Sequence, residues 1–210
     1  RAAGEAVTPE VLAERAYQVE AHEAAQPGGR QDQYAAALGG WHRLAFRGAD
    51  VSARPLRPDP AFAEDLAARS VLCYTGTSRA SGVMIQRVMD GYARGDRDIC
   101  EALFRIRAAA EAMGDAVAAG DTARVGALLS ENWAAQQALD PGMRTPAMAQ
   151  LEAAMAAEGI LGCKAVGAGA GGCMLFLASG DPAALRRIAR AEGMEVLDVR
   201  WATEGVRVEG

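Results

Sequence analysis

The chain has 210 residues, a formal net charge of −5, and a composition that is 50% apolar and only 5% aromatic. This length suits one domain with a substantial core, and the acidic balance argues against nucleic acid as a partner. We expect neither a membrane span nor a signal peptide, because no apolar run has the required length or flanks. The four cysteines form no C-x-x-C pair. They predict reduced thiols in a cytoplasmic protein rather than disulfides or a zinc site.

The first elements in chain order are two helices and a strand pair. Thr8 is suited to cap a helix that begins at Pro9 and runs to about Ala25. Asp32 could cap a short helix that two glycines, Gly39 and Gly40, end. Strands are predicted over residues 41–46, 51–56 and 71–75.

The rest of the chain predicts helices followed by short strands. From Ser81 to about Ala138 the pattern is helical, with one face made by Ile99, Leu103, Ile106, Ala110, Met113 and Val117. Further helices are predicted over 145–159 and 181–193, with strands over 195–199 and near 206–208. Together these elements predict an α+β fold with two layers, a mainly antiparallel sheet with helices packed on one face, in a single domain over 1–210.

A glycine-rich segment carries the clearest functional signal. Four glycines lie within six residues, at Gly167, Gly169, Gly171 and Gly172, and nearby Lys164 is the only lysine of the chain. Glycine lets a backbone turn tightly and present bare N–H groups to an anion such as phosphate. The spacing also matches G-x-G-x-x-G, but that dinucleotide fingerprint needs a helix directly after the glycines. Here the apolar run 173–178 predicts a strand, so we expect a phosphate-handling loop between two strands, with a ligand-free glycine hairpin as the alternative.

Three segments, in this order, resemble the GHMP kinases, the superfamily of galactokinase, homoserine kinase and mevalonate kinase. They are GGRQDQYAAALGG at 28–40, LCYTGTSRAS at 72–81 and CKAVGAGAGGC at 163–173. The branch that the chain resembles most phosphorylates D-glycero-D-manno-heptose 7-phosphate, with fucose-type kinases nearby. The resemblance implies ATP-dependent phosphorylation of a sugar or sugar phosphate, with ATP and Mg²⁺ as cofactors. It also implies that residues 1–60 are a remnant of the N-terminal domain and that 61–210 form the C-terminal domain.

The resemblance also implies roles for particular residues. Asp32 would accept or orient the proton of the attacking sugar hydroxyl, and Arg30 would keep that carboxylate ionised and neutralise charge on the transferring phosphoryl group. A helix cap is the structural alternative for Asp32. The four glycines would shape the loop near the phosphates, where Lys164 either supplies a point charge or lies solvated at a strand end. The substrate-binding residues would be Gly28, Gly29, Gln31, Ser78 and Arg79, and no metal ligand can be nominated. A solvated arginine at the start of a helix is the alternative for Arg79.

The chain departs from the family pattern in two places. Ala170 stands where related third motifs carry glycine, and a Cβ is unfavourable there if the position needs φ > 0. Nothing resembles the second motif, P-x-x-x-G-L-G-S-S-S-A, so we expect the N-terminal ATP-motif region to be missing and the chain alone to be poorly active. The alternative is a non-catalytic module that binds a sugar phosphate or dimerises. We expect a small-molecule sugar or sugar phosphate as partner and leave a homodimer open.

Overall fold

A computed structural model of the chain describes residues 7–24, 28–76, 82–198 and 200–207. The chain divides into two compact units, residues 1–57 with 201–210, and residues 58–200. The fold is α+β, as predicted, and the described part contains eight α-helices and two antiparallel sheets. The correspondence of these units to the two domains implied by the resemblance, with a boundary at residue 60, stays a prediction.

The first unit is a helical pair with a β-hairpin. Its elements are α1 (Pro9–Gln18), a π-helical turn (Val19–Glu23), α2 (Gln31–Leu38), β1 (Trp41–Arg47) and β2 (Asp50–Leu56). Thr8 caps α1 as predicted, since its Oγ1 accepts a hydrogen bond from Val11 N at 3.3 Å. The two strands pair antiparallel, as predicted, from Trp41 opposite Leu56 to Arg47 opposite Asp50. A small core joins helices and hairpin, formed by Ala13, Tyr34 and Ala37 with Leu38, Leu44 and Val51 packed against them.

The second unit is built around a four-stranded antiparallel sheet. Its helices are α3 (Pro60–Arg69), α4 (Gly82–Ala93), α5 (Arg97–Ala119), α6 (Thr122–Gln137), α7 (Pro146–Glu158) and α8 (Pro182–Ala191). Its strands are β3 (Ser70–Tyr74), β4 (Ile160–Val166), β5 (Cys173–Ala178) and β6 (Glu195–Leu197), in the spatial order β4-β5-β3-β6. The core of this unit is made mainly by methionine, leucine and aromatic side chains, including Phe176, Met148, Leu151, Met155 and Met174, none more than 1% exposed.

The long helix α5 packs along α6, but its buried line differs from the predicted one. Val117 is buried, whereas Ala110 is exposed and the other predicted apolar residues are half-buried. The fully buried positions are instead small, Ala102, Ala109, Gly114 and Ala116 among them. Small side chains allow two helices to approach closely, so larger apolar residues are displaced to the margin of the contact.

Helix α6 covers the free edge of the sheet along β4. A Cβ added at Gly162 on β4 would overlap the carbonyl oxygen of Gly126 on α6, so the two backbones touch directly. Cys163 N, which faces outward from this edge strand, donates to Ser130 Oγ at 3.0 Å. An uncovered edge would present unpaired backbone groups. This packing also carries the C-terminal end of α6 to the point where β4 ends.

The C-terminal segment of the chain differs from the prediction. The strand predicted over 195–199 is formed as β6, over Glu195–Leu197. No strand is formed over the described residues 200–207, although one was predicted near 206–208. Val206 N instead donates to Ala36 O at 3.1 Å, and Ala202 O accepts from Gly40 N at 2.8 Å. Isolated backbone hydrogen bonds therefore hold this segment, in place of the predicted strand pairing. None of the helices in the described ranges is long and apolar enough to cross a membrane.

Candidate functional site

Asp32 lies in the first unit, in the first turn of α2, and is exposed. The helix begins one residue earlier, at Gln31, with Arg30 as its N-cap residue, so the predicted capping role of Asp32 is wrong. A carboxylate in the first turn still interacts favourably with the helix dipole. Within the described residues the carboxylate accepts no hydrogen bond and forms no ion pair. Asp32 therefore keeps its carboxylate oxygens open to a ligand.

Arg30 precedes Asp32, and its guanidinium binds the scaffold around it. One nitrogen donates to the carbonyl oxygen of Ala49 at 3.3 Å and pairs with Glu14 at 3.4 Å, and another donates to Gly48 O. The guanidinium carbon lies 5.7 and 5.4 Å from two ring centroids, those of Tyr17 and Phe46. These contacts join α1, the β1–β2 turn and the start of α2. The predicted action of Arg30 on Asp32 and on a phosphoryl group stays a prediction.

The other substrate residues implied by the resemblance are partly described. Gln31 is exposed and folds its side chain back over Gly29, where an added Cβ would overlap Gln31 Oε1. Gly28 has open space around it. Ser78 and Arg79 lie outside the described residues. The segment 28–31 thus leads directly into the helix that carries Asp32.

The glycine loop lies in the second unit and joins β4 to β5, as the sequence predicts. Its four glycines have φ values of 86°, 81°, 118° and 75° in chain order. Ala170 has φ 61° and is the one non-glycine residue with positive φ in the described ranges. Position 170 therefore has the positive φ at which a Cβ is unfavourable, although the chain carries alanine there and not the glycine of related motifs.

The two ends of the loop are fixed by hydrogen bonds to their carbonyl oxygens. Gln136 Nε2, at the end of α6, donates to Gly167 O at 2.8 Å. Thr75 donates to Gly172 O twice, from its backbone N and from Oγ1, each at 2.9 Å. Both terminal carbonyl groups are therefore turned into the protein. Sequence reasoning did not identify Gln136, which belongs to no motif.

The tip of the loop is fixed by the short 3₁₀ turn at Pro141–Met143. Ala170 N donates to Met143 O at 2.7 Å, and a Cβ at Gly169 would lie 2.5 Å from the same oxygen. The turn itself is held by Asp140, which is 7% exposed and accepts from Gly142 N at 2.8 Å. Arg87 Nε donates to the other carboxylate oxygen of Asp140 at 2.8 Å and lowers the pKa of that carboxyl group.

Five backbone N–H groups of the loop remain without an acceptor among the described residues. They belong to Gly167, Ala168, Gly169, Gly171 and Gly172. Converging backbone N–H groups in a glycine-rich turn favour an anion, phosphate above all. The N–H of Ala170 cannot join them, since it donates to Met143 O. The loop thus has several backbone donors that no group in the described part of the chain occupies.

Lys164 lies on β4, half-buried, two residues before the strand ends. Its ammonium group donates to Gln136 Oε1. Burial lowers the pKa of Lys164 to about 8, with no charged neighbour contributing to the shift. The side chain is therefore not simply solvated at a strand end, and a direct charge beside phosphates stays a prediction. No group of three or more His, Cys, Asp or Glu residues in the described ranges could hold a metal ion.

Comparisons with known proteins agree with the fold and with the motifs. Residues 99–193 match the family described as GHMP kinases C terminal. The chain is 30% identical over 200 residues to the D-glycero-alpha-D-manno-heptose 7-phosphate kinase of Campylobacter jejuni, an alignment that spans 93% of the chain and 58% of that protein. It is also 30% identical over 167 residues to an L-fucokinase/L-fucose-1-P guanylyltransferase of Bacteroides fragilis, spanning 78% of the chain and 17% of that protein.

A solved structure shows the same fold. The D-glycero-D-manno-heptose 1-phosphate kinase of Bacteroides thetaiotaomicron superposes on 98% of the chain with a TM-score of 0.68 and 21% identity, and the chain covers 57% of it. The chain thus spans little more than half the length of these heptose kinases. The matches confirm the resemblance that the motifs indicated: the chain carries the C-terminal domain of a GHMP kinase and belongs to that superfamily.

Proposed function

We propose that the chain serves the ATP-dependent phosphorylation of a sugar or sugar phosphate of the heptose 7-phosphate class. The observation that carries the proposal is the glycine loop, which is fixed at its ends and tip and has five N–H groups without an acceptor in the described part of the chain. Phosphoryl transfer asks a protein mainly for positioning and for neutralisation of charge on the phosphoryl oxygens. A rigid set of backbone donors in a superfamily of kinases is suited to that task.

Asp32 is the proposed catalytic base. As the sugar hydroxyl oxygen bonds to the γ-phosphorus of ATP, the bond to ADP breaks and the hydroxyl proton passes to the carboxylate. Two observations support this role: the carboxylate is exposed in the first turn of α2, and it has no partner among the described residues. A carboxylate that formed a buried ion pair would be a poorer proton acceptor.

The remaining roles concern the ligands. Gly28, Gly29 and Gln31, with Ser78 and Arg79, are proposed to bind the sugar phosphate, since an arginine fork matches phosphate oxygens. ATP brings Mg²⁺ in kinases of this type, but the described residues include no metal cluster, so no protein ligand to Mg²⁺ is assigned. Arg30 is proposed to hold the segment that carries Asp32.

The test incubates the full-length gene product with D-glycero-D-manno-heptose 7-phosphate, ATP and Mg²⁺. Phosphorylation of the sugar is monitored by ³¹P NMR. We expect Asp32→Asn to lower kcat at least about 100-fold, because general-base catalysis contributes that much or more. Asp50→Asn is the matched control, an exposed acid on the neighbouring hairpin that should leave kcat unchanged. Equal rates for the two variants would contradict the role of Asp32.

The non-catalytic alternative has one observation in its favour. Ala170 occupies a left-handed position of the loop and commits its N–H to Met143 O, which removes one donor from any phosphate site. A module of this kind would bind heptose 7-phosphate without consuming ATP. Isothermal titration with the sugar phosphate, run beside the ³¹P assay, therefore separates the two functions. Binding of the sugar phosphate without consumption of ATP would contradict the kinase and support the non-catalytic module.

A further inference from the structure

Gln136 connects the only lysine of the chain to the first glycine of the loop. Its side chain is 8% exposed at the end of α6. One end of its amide accepts from Lys164 Nζ, and the other end donates to Gly167 O at 2.8 Å. Lys164 itself is half-buried on β4. A buried amide with both ends bonded is held in one orientation, and here its two partners decide which one.

The donor and acceptor types of the two partners fix the orientation of the Gln136 amide. A lysine ammonium can only donate, so the oxygen of Gln136 must face Lys164. A backbone carbonyl can only accept, so the NH₂ group must face Gly167. If Lys164 were absent, the oxygen of Gln136 would lose its donor, and only the bond to Gly167 O would hold the side chain in this rotamer. Lys164 therefore acts on the loop through Gln136 without touching it.

The bond at Gly167 O also determines where the next N–H points. A trans peptide is planar, and its C=O and N–H point in opposite directions. No cis peptide bond occurs among the described residues. Because Gly167 O faces Gln136 on α6, the N–H of Ala168 faces away from α6, and it finds no acceptor in the described chain. This N–H is one of the five donors that the loop can offer to an anion.

We propose that Lys164 and Gln136 form a positioning pair that orients the Gly167–Ala168 peptide so that its N–H is presented to a phosphate group. The inference rests on the proposed function, in which the loop receives the phosphates of ATP or of the sugar. It assigns Lys164 an indirect role, since its ammonium group is already bonded to the amide of Gln136. Gln136 becomes a residue of the site although it touches no ligand.

The first experiment measures the loop itself, in the ¹⁵N-labelled chain of 210 residues. In the unaltered protein we expect an order parameter near ~0.85 for the Ala168 amide, and below ~0.6 in both Gln136→Leu and Lys164→Met. Gln137→Leu is the matched control, a half-exposed glutamine one residue further along α6 whose loss should leave the value unchanged. Lys164→Arg, which keeps a donor-only cation, should restore the rigid value. This rescue also decides the matter if Gln136→Leu fails to fold.

The second experiment titrates tripolyphosphate, the probe for the phosphate site, against the same proteins. Loss of one hydrogen bond is worth about a fivefold change in an equilibrium constant, so we expect Kd to rise about fivefold in Gln136→Leu and to be unchanged in Gln137→Leu. Gln136→Leu alters no charge, so weaker binding in this variant reflects the position of the loop N–H and not the electrostatic attraction between Lys164 and the anion. A weakening confined to Lys164→Met would mean that the lysine acts as a bare charge, and it would overturn the positioning pair.

The two readouts distinguish this inference from the proposed function. Unchanged order parameters in Gln136→Leu and Lys164→Met overturn the positioning pair, whatever tripolyphosphate does. A second outcome is that the order parameters fall as expected but no protein binds tripolyphosphate. This outcome supports the orientation of the Gly167–Ala168 peptide and overturns the phosphate role of the loop. Lowered order parameters together with weakened binding in Gln136→Leu support both.

Discussion

Ala170 and Met143 are joined by a hydrogen bond of 2.7 Å from the backbone N of the first to the carbonyl oxygen of the second. This bond fixes the tip of the glycine loop to the 3₁₀ turn that follows α6, and it holds an alanine at φ 61°. A left-handed alanine costs roughly 1–2 kcal/mol relative to a right-handed one. The contact therefore maintains a conformation that the residue would not adopt by itself.

Replacing Ala170 by glycine should stabilise the protein. Glycine accepts positive φ without strain, although it also gains freedom in the unfolded chain, so we expect the free energy of unfolding to rise by up to about 1 kcal/mol. Urea unfolding measures the change. Ala168→Gly is the matched control two residues earlier, where φ is not positive, and it should lower stability by about 0.4–1 kcal/mol. The same sign for both variants would contradict the strain at Ala170.

Gly162 should not tolerate a side chain. A Cβ there would overlap Gly126 O and approach Ser130 Oγ at 2.9 Å, so Gly162→Ala has to push α6 away from β4. Overpacking of this kind costs typically 1–3 kcal/mol, and we expect a value at or above the top of that range because the obstacle is backbone. Gly180→Ala, with nothing within 4 Å of an added Cβ, is the control. Thermal unfolding of both variants checks the prediction, which similar midpoints would refute.

Arg30 should contribute to stability through the fork of its guanidinium. Arg30→Lys keeps the charge but cannot contact Glu14 and the 48–49 turn at once, so we expect a loss of about 1–3 kcal/mol. Arg47→Lys, at an exposed arginine on the hairpin that Arg30 contacts, should change stability by less than about 0.5 kcal/mol. Near-UV circular dichroism can follow unfolding of this unit, because Trp41 and Trp201 lie 4.9 Å apart in it. If the two variants unfold alike, the guanidinium contacts do not stabilise the unit.

Local signals in the sequence predicted most elements of the fold. Thr8 and Thr145 each cap the helix that was expected to begin there, because a cap is recognised within three residues of the chain. The apolar run Cys173–Ala178 likewise placed a strand directly after the glycines. That one observation excluded the dinucleotide fingerprint, since the fingerprint requires a helix at the same place.

Contacts between distant residues of the chain could not be predicted in the same way. Gln136 reaches Gly167 across 31 positions, and Arg30 reaches Ala49 across 19. Both contacts exist only because whole elements pack together, α6 along β4 in one unit and the hairpin beside α1 in the other. No spacing rule marks such a glutamine or arginine. The capping alternative for Asp32 failed for a smaller reason: α2 begins at Gln31, one residue before the expected cap.

Lys164 should make stability depend on pH in a definite direction. Burial lowers its pKa from an ordinary 10.5 to about 8, so between these values the unfolded chain binds more protons than the folded one. Stability from this group therefore rises with pH above about 8, and below it the full cost of burying the ammonium group is present. Burial raises the pKa of Cys73 and Cys163 to about 11, which acts in the opposite direction at higher pH.

The thiol contribution cancels when the protein is compared with Lys164→Met, which retains both cysteines. Between about pH 7.5 and about pH 9 we expect the free energy of unfolding of the unaltered protein to rise by about 1 kcal/mol relative to Lys164→Met. Loss of the hydrogen bond to Gln136 adds an offset to the variant at every pH, which leaves the difference in slope intact. Urea unfolding at several pH values measures that slope. Parallel pH profiles for the two proteins would show that Lys164 titrates normally and that its ammonium group is not held in the buried contact with Gln136.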